Sequence, residues 1–154
     1  MSAERTAGAV LGSLVAGLAL TALLVAAERR NGQPNEIATL ERTGLRRLGL
    51  EAPRDDALPD AREQATVQGA HLALSAAAGL AYAALTDEDA PIVTSGVAFG
   101  LGLYAALQWL AGPILGLKVP EWRSDRQTVA MHTVNHILFG LVTAAFARGA
   151  SRLR

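Results

Sequence analysis

The sequence predicts an all-α integral membrane protein, a four-helix bundle with one long polar loop between its first two helices. Three observations carry that expectation. The 14 basic and 14 acidic residues are nearly absent from four blocks, near residues 7–27, 65–85, 92–111 and 129–147. Each block is about 20 residues long, the length a helix needs to cross a hydrocarbon core of roughly 30 Å. Each also carries small residues and a polar stripe on one face, as helices that associate in lipid require. The mean hydropathy of +0.25 understates this, because the charges are bunched in the connections. The 154 residues read as a single membrane domain.

The first helix, over 7–27, has to be separated from a secretory signal. Its apolar run from Thr6 to Ala27 is longer than a usual signal core, and Glu4 offsets Arg5, so a retained helix is expected. A polar loop, 28–64, follows. Within it "NEIATLERTGLRRLGL" spaces Ile37, Leu40, Leu45, Leu48 and Leu50 among Arg42, Arg46 and Arg47. That spacing fits either an amphipathic interfacial helix, weakened by Gly44, or a partly ordered hydrophilic loop. The second helix spans 65–85. The short acidic turn "TDEDA" then joins it in a tight antiparallel hairpin to the third, 91–111, with Pro91 in its first turn.

Beyond that, "AGPILGLKVPEW" is expected to be a broken segment at the membrane surface. Gly112, Pro113 and Pro120 argue against continuous helix there, and Trp109 and Trp122 supply interfacial anchors. The fourth helix spans 129–147. The loops after helices one and three hold Arg29, Arg30, Arg42, Arg46, Arg47, Arg54, Arg62, Lys118, Arg123 and Arg126, against Arg5, Arg148, Arg152 and Arg154 on the other side. The positive-inside rule then favours both large loops in the cytoplasm and both termini outside, in a multi-pass membrane protein.

Small residues recur four apart, as Gly96 and Gly100 in helix three and Gly140 and Ala144 in helix four, so Gly96, Gly100 and Gly140 are packing candidates. Polar residues inside the spans say more, because each needs a partner in hydrocarbon. Antiparallel threading brings Glu28, Gln68, His71, Gln108, His132, Asn135 and His136 into one half of the membrane, a shared polar layer holding all three histidines.

Three uses of that layer stay open. The histidines could hydrogen-bond between helices, respond to pH, or bind a transition metal or haem through His71, His132 and His136. Between His132 and His136 lie Thr133, Val134 and Asn135, with no acid to serve as general base, which argues against a zinc hydrolase. No nucleophile–base pair stands elsewhere, so no catalytic residue and no cofactor is expected. The chain has no cysteine, hence no disulfide or thiolate site, and its balanced charge recruits no nucleic acid. The expected partners are the lipid bilayer and a membrane-protein partner or second copy of the chain.

In the second half, "GVAFGLGLYAALQWL", "AGPILGLKVPEW" and "MHTVNHILFGLVTAAF" follow in order. Through Pro113, Gly116, Leu117, Pro120, His136, Phe139 and Gly140 this stretch, roughly 92–147, resembles the YagU-type bacterial inner-membrane proteins. Asn135 departs from the Gly those proteins often have before the histidine. The resemblance implies an association with acid tolerance and no biochemical activity. The function expected is that of an accessory or stress-related membrane protein. The alternatives are a metal- or haem-binding subunit of a redox complex and a small oligomeric transporter.

Overall fold

The structure, a computed structural model, describes residues 2–151, and all regular elements among them are helical. There are five helices rather than four: α1 (Ala3–Asn31), α2 (Glu36–Arg47), α3 (Ala61–Leu85), α4 (Ile92–Ile114) and α5 (Arg126–Ser151). A single 3₁₀ turn, Glu121–Arg123, stands between the last two. Three of the helices, α1, α4 and α5, are long and apolar enough to cross a membrane. α3 has the length, but Gln64, Gln68, His71, Ser75 and Tyr82 dilute its apolar character.

The long helices extend beyond the apolar blocks because polar caps, not hydropathy, set where they begin. Ser2 accepts a hydrogen bond from the Arg5 amide and starts α1. Asp60 does the same for Glu63 in α3, and Asp125 accepts from the amides of Gln127 and Thr128 at the start of α5.

Two expectations need correction here. The third helix does not stop at residue 111. It widens into a π-helical segment over Ala105–Ala111 and runs on to Ile114. Pro113 lacks an N–H and its ring would crowd the carbonyl four residues back, and a wide turn relieves both problems. The helix then ends at Gly116 (φ 64°), where Leu117 N–H bonds to Gly112 O and Gly116 N–H to Pro113 O. The tight α3–α4 hairpin is also only local. Near the turn, Tyr82 hydroxyl meets Ser95 Oγ at 2.7 Å and its ring stands edge-on to Phe99. Away from the turn, α3 and α4 draw apart.

Side by side the long helices run α3, α1, α5, α4. Small residues make the close approaches. A Cβ at Gly100 would strike the His136 carbonyl oxygen, and one at Gly140 would strike that of Gly96, so α4 and α5 meet backbone to backbone. A small core of Ala9, Tyr82, Ala83, Ala144 and Ala147 fills the end near the α3–α4 turn. Arg5, 2% exposed, is buried there and satisfied by the end of α3 and the turn after it: it donates to Ala83 O at 2.8 Å and Asp87 O at 3.0 Å, and to the Thr86 hydroxyl.

At the opposite end the polar loop is ordered. Asn35 caps α2 by accepting from the Ala38 amide. Arg42, 1% exposed, binds Glu63 through two nitrogens and donates to the carbonyls of Arg54 and Ala57, so residues 48–60 wrap around one guanidinium. Of the two readings of this stretch, the helix is the one formed.

Candidate functional site: a buried ionic cluster and an open cleft

The seven residues assigned to one polar layer fall into three neighbourhoods. Glu28 accepts from the Asn35 amide at 3.1 Å, from its side chain at 2.6 Å and from Gln64, and Gln68 donates in turn to Gln64 at 3.1 Å. This group ties the end of α1 to the starts of α2 and α3.

The second neighbourhood centres on His132, in the second turn of α5. Its Nδ1 lies 2.6 Å from Glu121 Oε1 and its Nε2 lies 2.7 Å from Glu36 Oε2. Only the doubly protonated ring donates from both nitrogens, so the geometry calls for an imidazolium between two carboxylates. Lys118 Nζ bridges the same two acids at 2.9 Å each and also donates to Gln108. Tyr104 hydroxyl donates to Glu121 Oε1 at 2.9 Å. Two carboxylates, one ammonium and one imidazolium sum to zero charge, which is what a buried cluster needs. Glu121 is fully buried and His132 is 5% exposed.

Burial opposes the ionisation of Glu36, but hydrogen bonds from His132 and Lys118 outweigh it and hold its carboxyl at about 2. Burial acts on Glu121 in the same sense, and there too His132, Lys118 and Tyr104 bring it below the usual carboxylate range. Burial would lower Lys118, yet its bonds to Glu36 and Glu121 raise it. The cluster joins α2, the 115–125 connection, α4 and α5. Arg47 Nε adds a bond to Gly116 O at 2.7 Å.

Sequence reading missed Glu36, Lys118 and Glu121. A signal for Glu36 is present in Asn35, a favoured cap residue that puts the acid in a first helical turn. Lys118 and Glu121, three apart around Pro120 at the end of an apolar block, carry only a weak one.

The third neighbourhood is a half-enclosed cleft between α3 and α4, floored by α1 and α5. It is lined by His71, Asn135 and His136 among leucines and Phe139, and it encloses about 60 Å³. His71 Nδ1 is 3.0 Å from Thr21 Oγ1, and His136 Nδ1 is 2.8 Å from the His132 carbonyl oxygen. The histidine set weighed for a metal is therefore divided, since His132 spends both nitrogens on carboxylates. Among the described residues no group of three or more His, Asp or Glu is arranged to hold a metal ion.

Comparison of the chain with protein-family models, curated proteins and solved structures finds no match.

Proposed function

We propose that the chain is a four-span accessory protein of a bacterial inner membrane, not an enzyme, whose surface helix α2 is held on the span ends by an ionic latch that survives acid. The observation that carries this reading is the Glu36–Lys118–Glu121–His132 cluster. It fastens an amphipathic helix to α5, and the bonds from His132 and Lys118 hold the Glu36 carboxyl at about 2, below the ordinary 4.5. Such a latch remains closed while a cell acidifies, which agrees with the acid-tolerance association that the YagU-type resemblance brings to the second half.

With α3 as the fourth crossing, α2 and the 115–125 connection share one side. The arginines there favour the cytoplasm. Ile114, Leu115, Val119 and Trp122 are exposed beside the latch, Ile114 at 79% and Trp122 at 62%, and belong in the lipid interface. Trp109 lies against Trp122, the rings tilted by 43° with centres 6.0 Å apart.

The test is acid survival of cells lacking the protein, complemented by the wild type or by Lys118→Met. Wild type should restore survival. The variant should reach the membrane and fail to protect. Equal survival with and without the protein removes the acid role.

A further inference from the structure

Three polar side chains at mid-depth of the spans face a cleft walled by hydrocarbon, and the protein leaves part of their hydrogen-bonding capacity unused. The Asn135 side chain makes no hydrogen bond among the described residues. His136 Nδ1 points at a backbone carbonyl 2.8 Å away, and a carbonyl can only accept, so Nδ1 carries the hydrogen. In the neutral ring Nε2 is then a lone-pair acceptor without a partner among the described residues. Unmet polar groups are costly at membrane depth, and they mark a place where something binds.

The occupant these groups ask for has one O–H donor, for His136 Nε2, and one carbonyl acceptor, for the Asn135 amide or the free nitrogen of His71. The enclosed 60 Å³ takes a head group of a few heavy atoms. Leu74 of α3 and Leu103 and Leu107 of α4 flank the opening, where the two helices separate, and Leu74 is half exposed. A chain attached to the head group would leave between those leucines into the bilayer.

We propose that this cleft binds the carboxylic acid end of a long-chain fatty acid lying in the membrane. The acid O–H bonds to His136 Nε2, the carbonyl accepts from Asn135, and the alkyl chain runs out between α3 and α4. The inference rests on the reading that α3 crosses the membrane.

The experiment uses the full chain in lipid nanodiscs with radiolabelled oleic acid, competed by unlabelled oleic acid or by methyl oleate, which has no O–H. Binding should saturate above empty nanodiscs. Methyl oleate should compete about tenfold less well, the worth of a hydrogen bond made in apolar surroundings. His136→Ala should weaken binding by a similar factor, and Leu103→Trp, which puts bulk into the cleft and leaves His71, Asn135 and His136 in the sequence, should abolish it. The proposal is overturned by absence of saturable uptake, by equal competition from the ester, or by unchanged binding in Leu103→Trp. If His136→Ala does not fold, the ester comparison and Leu103→Trp decide alone. Reporter fusions on either side of α3, in the same protein, show separately whether that helix crosses.

Discussion

Glu121 shows most clearly how much a single side chain carries. It opens a short 3₁₀ turn, fully buried, and accepts from Tyr104, Lys118 and His132. Removing one partner of such a set leaves the others' charges uncompensated. Glu121→Gln should therefore destabilise by about 3 kcal/mol, read as a lower melting midpoint in detergent. Combined with His132→Ala the loss should be well below the sum, because both changes break one network. Glu36 gives the pH dependence its sign. Its folded value, about 2, lies below the ordinary 4.5, so the stability it contributes is complete above that ordinary value and fades as pH falls towards 2. Melting followed across that interval should drop for the wild type and drop less for Glu36→Gln; equal slopes would remove Glu36 from the latch. The sequence shows His132 in the polar layer and Asn35 as a cap that puts Glu36 in a first helical turn, but nothing in it pairs the two. Glu36 and His132 are 96 positions apart, and an acid in a polar loop looks the same whether it faces water or an imidazolium.

At the scale of elements, lipid makes composition legible: the three most apolar blocks became α1, α4 and α5 because a lipid-facing helix has to be apolar over its whole length. Their ends were less legible, since Ser2, Asp60 and Asp125 begin helices in polar sequence. Pro113 by itself predicts a break in the helix, and it is the π-helical turn before it that lets α4 continue. Glycine spacing indicates which faces are narrow but not which glycines are pressed. Gly100 lies on the His136 backbone, whereas around Gly102 nothing stands within 4 Å of where a Cβ would be. Gly100→Ala should force α4 off α5 and cost about 1–3 kcal/mol. Gly102→Ala should be neutral or stabilising by up to about 1 kcal/mol, since it only improves helix propensity. Parallel melts of the two variants test this, and similar midpoints would contradict the backbone contact.

For the whole molecule, the deciding question is whether α3 crosses. Its polar residues are no obstacle if each has a partner or a ligand, and most do: Gln64 reaches Glu28, His71 reaches Thr21, Ser75 reaches the His71 carbonyl and Tyr82 reaches Ser95. Both ends are pinned as a span's would be. Arg5 satisfies the carbonyls at the α3 terminus beside the start of α1, and the Arg42–Glu63 pair fixes its beginning beside α2. α3 also packs along α1, which is apolar enough to cross by itself. A helix 25 residues long lying on the membrane surface could not stay antiparallel to a crossing neighbour over that length. Reporter fusions at Gln33 and Asp125 should therefore read the same side, cytoplasmic by the arginine count, and a fusion at the carboxyl terminus should read the other. Inversion of all three would turn the protein over and keep four crossings. Opposite sides for Gln33 and Asp125 would make the number of crossings between them odd and take α3 out of the membrane.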